Sequence, residues 1–432
     1  MLFDEISDQS EPVREAGEEM RQNDSRMDAL KFEIQDDAPA GTKIKVIGVG
    51  GGGCNAAGRM YVDGVKGVEF HAINTDRQAL HTSPIPNRLL IGSKMTNGLG
   101  AGADPNVGHE AALEDTEQII EILNGADMVF VAAGLGGGTG TGAAPVVASL
   151  AKELNALTVA VVTKPFLFEG ARRMKAAEKG MAHLASTVDT LIQIPNERLT
   201  ALMPRGTPLL DSFRVADDVL KQAVTGISDI MNTPGLINRD FSDIRAIMQG
   251  MGHAMMGTAV AKGEGAAMEA ARKAINCPML EEEELRGARG ILINITGSSR
   301  ISLHDINDAC TLIRDAAQNE DVQVNFGIVI DERMNDEVKV TVIATGFPHE
   351  AKVEPFEPAR GVFEKPAEQA MMPEGAAEPS AVEPLPVSSA APMEEPVEGV
   401  GEAGEVSHDE PAKVVEEVDV PAFLRRGRRS FF

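Results

Sequence analysis

The chain has 432 residues, 43% of them hydrophobic, which is enough for two packed domains flanked by tails. Its formal net charge of -26 falls disproportionately on the two ends and argues against a general nucleic-acid-binding protein, because phosphate backbones attract basic surfaces. The three cysteines, Cys54, Cys277 and Cys310, form no CxxC pair, so the sequence indicates neither a disulfide framework nor a zinc site and favours a reducing cytoplasm.

Residues 1–40 are polar and acidic and are predicted to form a disordered N-terminal arm. They lack the apolar core of a signal peptide. No run of about 18 apolar residues occurs anywhere in the chain, so no membrane-spanning segment is predicted.

Strands and helices alternate from residue 41 onward. The segments KIKVIGVG, GVEFHAINTD, DMVFVAAG and LTVAVVTKPF have the pattern of buried strands, and VGHEAALEDTEQIIEILNGA has that of a helical connection. This alternation predicts an α/β fold with a parallel sheet covered on both faces and ligands outside the carboxyl ends of its strands. We assign residues 41–211 to this domain.

A long helix is predicted from Ser212, because Phe213, Ala216, Leu220 and Ala223 fall on one apolar stripe. Residues 212–235 are therefore expected to connect the first domain to a second one. The strands GILINITG, VQVNFGIVID and VKVTVIATGF surround a further helix, which predicts a smaller α+β domain over residues 236–348.

The C-terminal part divides into two segments. Residues 349–415 are rich in Pro, Glu and Ala and are predicted to be a disordered acidic linker. Residues 416–432 contain DVPAFLRRGRRSFF, whose apolar and basic residues are typical of a short recognition peptide.

The first glycine-rich segment, GVGGGGCN, follows the first strand. Gly48, Gly50 and Gly53 satisfy GxGxxG, and Asp76 ends the second strand, which is the arrangement of a dinucleotide-binding fold. A glycine turn needed only for tight strand-to-helix packing explains the same residues equally well.

The second glycine-rich segment, AAGLGGGTGTGAAP, carries six glycines between Gly134 and Gly142. It lies between a buried strand and a helix predicted to start near Ala143, where backbone N–H groups and the helix dipole favour an anion. Two such loops on one sheet edge can surround a triphosphate. A third segment, NGLGAGADP, either completes the enclosure or is an ordinary loop.

Several common catalytic motifs are absent. There is no GxxxxGK[ST], so a P-loop lysine is excluded, and neither HExxH nor GxSxG occurs. The sequence therefore does not support a metalloprotease or an α/β-hydrolase.

GGGTGTG, residues 136–142, is the signature of the tubulin superfamily, and its surroundings resemble the FtsZ family of bacterial cell-division proteins. The resemblance runs from about Ile44 to Gly346 through IGVGGGGCNA, NTDRQAL, GLGAGADP, VVTKPFLFEG, IPNERL and GHAMMG, and resumes in DVPAFLRR. It implies a tubulin-like, Rossmann-type GTPase domain joined by a long central helix to a smaller α+β domain, with disordered tails. It also implies a GTP-hydrolysing filament that forms the cell-division ring at the septum.

The resemblance assigns the nucleotide site residue by residue. Phosphate contacts and the adjoining loops are implied for Gly51, Gly52, Gly53, Cys54, Asn55, Asn74, Ala101, Gly102, Gly138, Thr139 and Gly140. Glu169 and Arg173 match ribose and phosphate contacts, although the same pair can form an exposed i, i+4 ion pair on a helix. Cys54 stands where many relatives have glycine.

Phe213 and Asp217 lie one helical turn apart at the start of the long helix. From the residues alone, Phe213 is a core residue and Asp217 a favourable charge near a helix N-terminus. The resemblance instead implies that the ring stacks on guanine and the carboxylate accepts its N–H donors, with Asn55 assisting.

The segment NRDFSDI, residues 238–244, has the pattern of a capped helix start. The resemblance implies that it enters the nucleotide site of the next subunit, where Asp240 and Asp243 polarise the attacking water and Asn238 places it. Hydrolysis would then depend on head-to-tail assembly.

The cofactors and partners follow from the same resemblance. GTP and GDP are the expected substrate and product, Mg²⁺ is expected with the triphosphate, and no protein metal ligand is assigned. The terminal peptide, with Pro421, Phe423, Leu424, Arg425 and Arg426, is expected to dock on membrane-tethering adaptors of the FtsA type and on division regulators, while an alternative is direct contact of its arginines with anionic lipid.

The sequence leaves two competing functions open. A nicotinamide-dependent oxidoreductase would use GxGxxG and Asp76 but leaves GGGTGTG and NRDFSDI unexplained. A tubulin relative that partitions plasmids or remodels membranes would leave DVPAFLRR without a purpose. The expected location is the cytoplasm, at the mid-cell division site on the inner face of the membrane.

Overall fold

The computed structural model describes residues 41–347 except 202, 233–234, 238–239, 281–284 and 320. The N-terminal arm, the linker at 349–415 and the terminal peptide at 416–432 lie outside the described residues. So do five predicted partner-binding residues and one predicted catalytic residue, namely Pro421, Phe423, Leu424, Arg425, Arg426 and Asn238.

Within the described residues, eleven strands form one sheet. They are β1 (Ile44–Val49), β2 (Val68–Asn74), β3 (Asn87–Leu90), β4 (Met128–Gly134), β5 (Leu157–Lys164), β6 (Thr190–Pro195), β7 (Gly235–Ile237), β8 (Gly252–Lys262), β9 (Gly290–Gly297), β10 (Gln323–Ile330) and β11 (Glu337–Phe347). Their order across the sheet is β3-β2-β1-β4-β5-β6-β8-β11-β9-β10-β7.

Twelve α-helices are assigned in the described part of the chain. They are α1 (Gly50–Val62), α2 (Arg77–His81), α3 (Ser93–Thr96), α4 (Pro105–Glu114), α5 (Thr116–Leu123), α6 (Thr139–Glu153), α7 (Ala171–Thr187), α8 (Asn196–Thr200), α9 (Leu209–Asn232), α10 (Phe241–Met248), α11 (Ala266–Ile275) and α12 (Leu303–Ala317). Two 3₁₀ turns occupy Leu167–Glu169 and Glu332–Met334.

The first half of the sheet is parallel, as the alternation of strands and helices predicts. β1 lies between β2 and β4, and β5 and β6 follow, all in parallel register. Side chains from alternate positions of these strands enter two separate apolar clusters, one on each face of the sheet. Phe130 belongs to one cluster and Val131 to the other, and both are fully buried. Because both of their faces are buried, these strands have nearly continuous apolar sequences.

The second half of the sheet carries its own apolar cluster, formed by α11, α12 and strands β8 to β11. It joins the first half through β6 and β8, which pair in parallel from Thr190 with Gly252 to Ile192 with Ala254. The apolar face of α9 is buried along its length, from Ala216 to Ile230. The fold class predicted from the sequence is thus confirmed, whereas the boundaries of its domains stay predictions.

Three predicted helices differ from the structure in their bounds. The central helix begins at Leu209 and ends at Asn232, so both of its ends lie three residues before those of the predicted segment 212–235. The connection after residue 105 is two helices, because the backbone leaves the helical region at Asp115, whose carboxylate accepts the Gly92 N–H at 2.7 Å. The helix predicted to begin near Ala143 begins at Thr139.

No helix in the described ranges combines the length and the apolar content that crossing a bilayer requires.

A nucleotide-shaped cleft at the strand ends

A cleft of about 290 Å³ opens at the carboxyl ends of five neighbouring parallel strands. Gly51, Asn74, Gly134, Lys164 and Asn196 each lie at or just past the end of one of these strands and line it. The first turns of α9 form the opposite wall. A crevice outside the carboxyl ends of parallel strands is where open α/β sheets bind their ligands.

The cleft collects most of the residues that the sequence assigned to nucleotide binding. It is lined by Gly51, Gly52, Asn55, Asn74, Ala101, Gly102, Gly138, Thr139, Gly140, Glu169, Arg173, Phe213 and Asp217. Gly53 and Cys54 are the two predicted residues that do not line it.

The first glycine loop is the opening turn of α1 and requires glycine at two positions. Gly50 has φ +71°, and a Cβ there would lie 2.7 Å from the backbone N of Gly140. A Cβ on Gly53 would lie 2.0 Å from the carbonyl oxygen of Ala132 in β4. These contacts bring the helix N-terminus, with its N–H groups, against the second loop, and such a terminus favours an anion.

The second glycine loop runs into α6, whose first turn is Thr139 to Gly142 rather than a loop ahead of Ala143. The helix starts earlier than the sequence suggested because α4 packs directly against this turn. A Cβ on Gly142 would lie 1.9 Å from the carbonyl oxygen of Pro105, so only glycine permits the approach. Gly140 and Gly142, which look like loop residues in the sequence, are thus packing residues of a helix.

The third glycine segment does complete the enclosure. Gly100, Ala101, Gly102 and Ala103 line the cleft, and Ala103 has φ +64°. The carbonyl of Thr75 accepts the N–H of Gly100 at 3.0 Å. The three segments therefore surround one volume.

Cys54 points away from the cleft. Its side chain is 4% exposed, and its Sγ donates to the carbonyl oxygens of Gly48 and Ile73 at 3.3 and 3.5 Å. The side chain accordingly belongs to the packing between α1 and the first two strands. Any contact between Cys54 and a nucleotide would come from its backbone.

Glu169 and Arg173 combine the two alternatives from the sequence, namely an i, i+4 ion pair and a position in the cleft. Their side chains are 2.5 Å apart at i, i+4, and both line the cleft. Glu169 also accepts the N–H of Phe166 at 2.9 Å, which fixes the short 3₁₀ turn between β5 and α7. The ion pair therefore holds an arginine side chain at the mouth of the cleft.

The far end of the cleft combines an aromatic ring with a buried carboxylate. The ring of Phe213 packs edge-on against Phe166, with centroids 5.5 Å apart and planes at 89°. Asp217, one turn further along α9, contacts the Nε of Arg59 through Oδ2 at 2.9 Å. Burial raises the pKa of Asp217 to about 7, even though the Arg59 guanidinium lowers it.

Two residues at this end were missed by the sequence reasoning. Arg59 lies four residues after Asn55 on α1, and that spacing, which places both on one helical face, was the available signal. Asn196 is 5% exposed, lines the cleft, and its Oδ1 has no hydrogen-bond partner within the described residues. A buried amide oxygen at the wall of a cleft is suited to accept a ligand donor.

Asp76 also lines the cleft, but its Oδ1 caps α2. It accepts the N–H groups of Gln78 and Ala79 at 2.9 and 3.2 Å. In a dinucleotide-binding fold the acidic residue at this strand end binds the ribose hydroxyls. Here Oδ1 of Asp76 serves as a helix cap, a role that any capped helix start can have.

Asp240 and Asp243 lie at the start of α10 and do not line the cleft of their own chain. Asp240 is exposed and caps the helix by accepting the N–H of Asp243 at 3.0 Å. The Nδ2 of Asn325 donates to the carbonyl oxygen of Asp243 at 3.3 Å and ties this turn to β10. The capped helix start predicted from the residues is confirmed.

The described ranges contain no group of three or more His, Cys, Asp or Glu side chains placed to hold a metal ion. The acidic residues of the cleft have other contacts: Glu169 pairs with Arg173, Asp217 pairs with Arg59, and Asp76 caps α2. A divalent cation at this site would therefore rely on ligand oxygens and water.

Comparison with known proteins agrees with this geometry. Residues 43–204 match the GTPase domain of the Tubulin/FtsZ family, and residues 252–348 match the C-terminal domain of the FtsZ family. An FtsZ dimer from M. jannaschii, described as empty, is 40% identical, with a TM-score of 0.68, and the match covers 75% of this chain and 92% of that one.

Two further solved structures show the same architecture. A variant of M. jannaschii FtsZ is 39% identical over 77% of this chain and 96% of that chain, with a TM-score of 0.68. A GTPγS-bound protofilament of CetZ2 from Haloferax volcanii is 23% identical over 72% and 95% of the two chains, with a TM-score of 0.63. The latter supports the fold alone.

Proposed function

The chain belongs to the Tubulin/FtsZ family, and from that membership and the cleft we propose that it binds and hydrolyses GTP while assembling head to tail into filaments. We further propose that these filaments form the scaffold of the cell-division ring at the septum. One observation carries the proposal. Three glycine segments enclose a single volume whose opposite end holds an aromatic ring and a buried carboxylate.

The nucleotide is proposed to lie with its phosphates against the first turns of α1 and α6. Backbone N–H groups at two helix N-termini stabilise phosphate charge without a lysine. Arg173, held by Glu169 at the cleft mouth, supplies a cation near the ribose and phosphates. Gly51, Gly138 and Gly140 line this part of the cleft.

The base is proposed to lie between Phe213 and the polar groups of Asp217, Asn196 and Asn55. Guanine presents N1–H and a 2-amino group as adjacent donors, which a carboxylate accepts, whereas adenine presents no such pair of donors. Asn196 brings a buried Oδ1 to the same cleft. These contacts support GTP over ATP.

Hydrolysis is proposed to require a second copy of the chain. Asp240 and Asp243 are the acidic pair that the family resemblance assigns to activating water, and they lie outside their own cleft. A head-to-tail contact would bring α10 of one subunit, with Asn238, to the nucleotide of the next. Because such a contact does not close on itself, it produces an open filament.

Mg²⁺ is proposed to accompany the triphosphate. Mg²⁺ usually keeps several waters and binds through substrate phosphates with one or two carboxylates. In this cleft the cation would rely on phosphate oxygens and water, since Glu169 and Asp217 have cationic partners and Asp76 caps α2. The cation would neutralise phosphate charge, and we assign it no protein ligand.

The division role rests on the C-terminal sequence. DVPAFLRR places the apolar Phe423 and Leu424 beside Arg425 and Arg426, a combination suited to docking on a membrane-tethering adaptor. Such an adaptor would hold the filament at mid-cell on the inner face of the membrane. A plasmid-partitioning or membrane-remodelling relative would have no use for this peptide.

The test is GTP turnover measured against protein concentration while light scattering follows assembly. We expect turnover per subunit to rise sharply above a threshold concentration, together with scattering. Asp243→Ala should lower turnover by about a hundredfold or more, within the range typical of general-base residues, and should leave GTP binding intact.

Asp305→Ala is the matched control. Asp305 and Asp243 occupy the same position in their helices, since the backbone N–H of each donates to the capping side chain, Ser302 and Asp240 respectively. The control should keep its turnover. Turnover proportional to concentration with no threshold, or unchanged in Asp243→Ala, would contradict the shared site, and loss of GTP binding would place Asp243 in its own cleft.

A further inference from the structure

Arg59 links the helix that opens with the first glycine loop to the helix that forms the opposite wall of the cleft. It lies on α1 and reaches Asp217 on α9 with Nε 2.9 Å from Oδ2. The two side chains are 29% and 14% exposed, so the pair is partly removed from water. A contact of this kind is stronger than a pair on an open surface.

Other contacts hold α1 and α9 together without Arg59. Lys221 pairs with Asp63 at 2.7 Å, and the Nδ2 of Asn232 donates to the carbonyl oxygen of Gly67 at 2.9 Å. Leu220 and Ala223, on the same helix, are buried in the apolar cluster that includes Met60 of α1. Arg59 is therefore not required merely to dock the two helices.

Burial and two charged neighbours, Asp218 and Arg59, determine how readily the Asp217 carboxyl group ionises. Burial favours its neutral form and raises its pKa to about 7, and Asp218 on α9 acts in the same direction. Arg59, from α1, is the cation that opposes both, by charge and by hydrogen bonding. Removing Arg59 would leave the carboxyl group largely protonated at neutral pH.

We propose that Arg59 is a positioning residue for guanine recognition, which holds the Asp217 carboxylate in place, through Oδ2, as the acceptor for the donors of the base. This rests on the proposed function, because it presumes a guanine nucleotide in the cleft. A carboxylate has about four acceptor sites, so one contact with Arg59 leaves capacity for both guanine donors.

The experiment measures GDP affinity by isothermal titration calorimetry from pH 6 to pH 9 with the full chain. GDP is chosen because its binding involves no turnover. The variants are Arg59→Met, which removes the charge and keeps the stem, Arg59→Lys, Asp217→Asn and the double variant Arg59→Met with Asp217→Asn. Lys221→Met, which removes the other cross-helix ion pair, is the matched control.

The wild type should bind GDP more tightly as pH rises to about 7 and then level off, because binding selects the ionised Asp217. Arg59→Met should move this midpoint upward and weaken binding at pH 7 by about tenfold for each unit of pKa shift, with affinity recovering toward pH 9. Arg59→Lys should fall between the two, and Lys221→Met should match the wild type. In the Asp217→Asn background, Arg59→Met should change little.

Three results would overturn the inference. The first is an unchanged GDP affinity in Arg59→Met. The second is a loss of GDP affinity that is the same at every pH, and the third is a loss that is just as large in the Asp217→Asn background. Either of the last two would mark a purely structural role. Should Arg59→Met fail to fold in circular dichroism melts, the midpoint of Arg59→Lys decides. A wild type that does not bind GDP would instead overturn the proposed function, and the two failures are therefore distinguishable.

Discussion

The glycine loops around the cleft and the segment that begins α10 differ in how firmly their surroundings hold them. At Gly53 and Gly142 a single added carbon would fall within 2.0 Å of a carbonyl oxygen. At Asp240 the side chain is exposed, and its Oδ1 accepts from the Ser242 hydroxyl and from the backbone N–H of Asp243. The glycine loops are therefore fixed by close packing between several elements, whereas the Asp240 carboxylate faces solvent at the start of its helix.

This difference teaches how an activity can be divided between two copies of a chain. Under the proposed function, tight packing would preorganise the phosphate-binding loops within a single subunit, since preorganised donors cost no rearrangement when the ligand arrives. The acidic segment at the start of α10 would instead act on the nucleotide of a second copy. Substitutions in the glycine loops and in the acidic segment probe the two regions separately.

We expect the largest effect on GTP turnover, when the acidic segment at the start of α10 is changed. Asp240→Asn keeps a good helix cap, because asparagine caps about as well as aspartate, but removes the negative charge. We expect steady-state GTP turnover to fall by about a hundredfold or more, as for loss of a residue that activates water, while the melting temperature stays the same.

Ser302→Asn is the control for this change, because Ser302 caps α12 in the same geometry. It should alter neither turnover nor stability. If Asp240→Asn retained wild-type turnover, Asp240 would be a cap and nothing more, and the contrast between the two regions would disappear.

The second effect concerns stability of the packed region. Gly53→Ala places a methyl group against the carbonyl of Ala132 in β4, and we expect it to lower the free energy of unfolding by about 1–3 kcal/mol, the usual cost of overpacking. Urea unfolding of the nucleotide-free protein, followed by circular dichroism, measures this difference.

Gly137→Ala is the matched comparison, because a Cβ there meets nothing within 4 Å. It should leave the free energy of unfolding within about 0.5 kcal/mol of the wild type, as surface substitutions do. Equal costs at Gly53 and Gly137 would show that backbone freedom, rather than close approach, is the reason for glycine in these loops.

The smallest effect is expected at Cys54, which belongs to the packed region without facing its ligand. Because its Sγ donates to carbonyls in the interior, Cys54→Ala should leave GDP affinity within about twofold and cost less than about 1.5 kcal/mol of stability, since the lost hydrogen bonds are weak. Calorimetry and urea unfolding check both values. A larger loss of affinity would mean that the thiol orients the glycine loop.

Much of the fold could be predicted because its signals are local. The run MVFVAAG contains six successive buried residues and reads as an interior strand. The 3.6-residue repeat through Ala216, Leu220 and Ala223 gives α9, and Ser302 with Asp305 marks the start of α12. Such patterns depend only on residues that are close together in the sequence.

The rest depends on contacts between distant segments. Arg59 and Asp217 are far apart along the chain, and nothing near either one identifies the other. The early start of α6 at Thr139 depends on the close approach of α4, which places Gly140 and Gly142 in a helix although the glycine-rich sequence resembles a loop. Asn196 is marked by an orphaned buried oxygen, a property that exists only after folding.

The junction between β6 and β8 has a mechanical consequence. Three residue pairs link these strands, whereas β11 and β8 share ten. Tension that pulls the two halves of the sheet apart would act on those three pairs, and the hydrogen bond from Thr190 Oγ1 to the Met248 carbonyl and the packing of α9 would help to resist it. The β6–β8 junction would thus carry the load between the two halves of the sheet when a filament is stretched or bent.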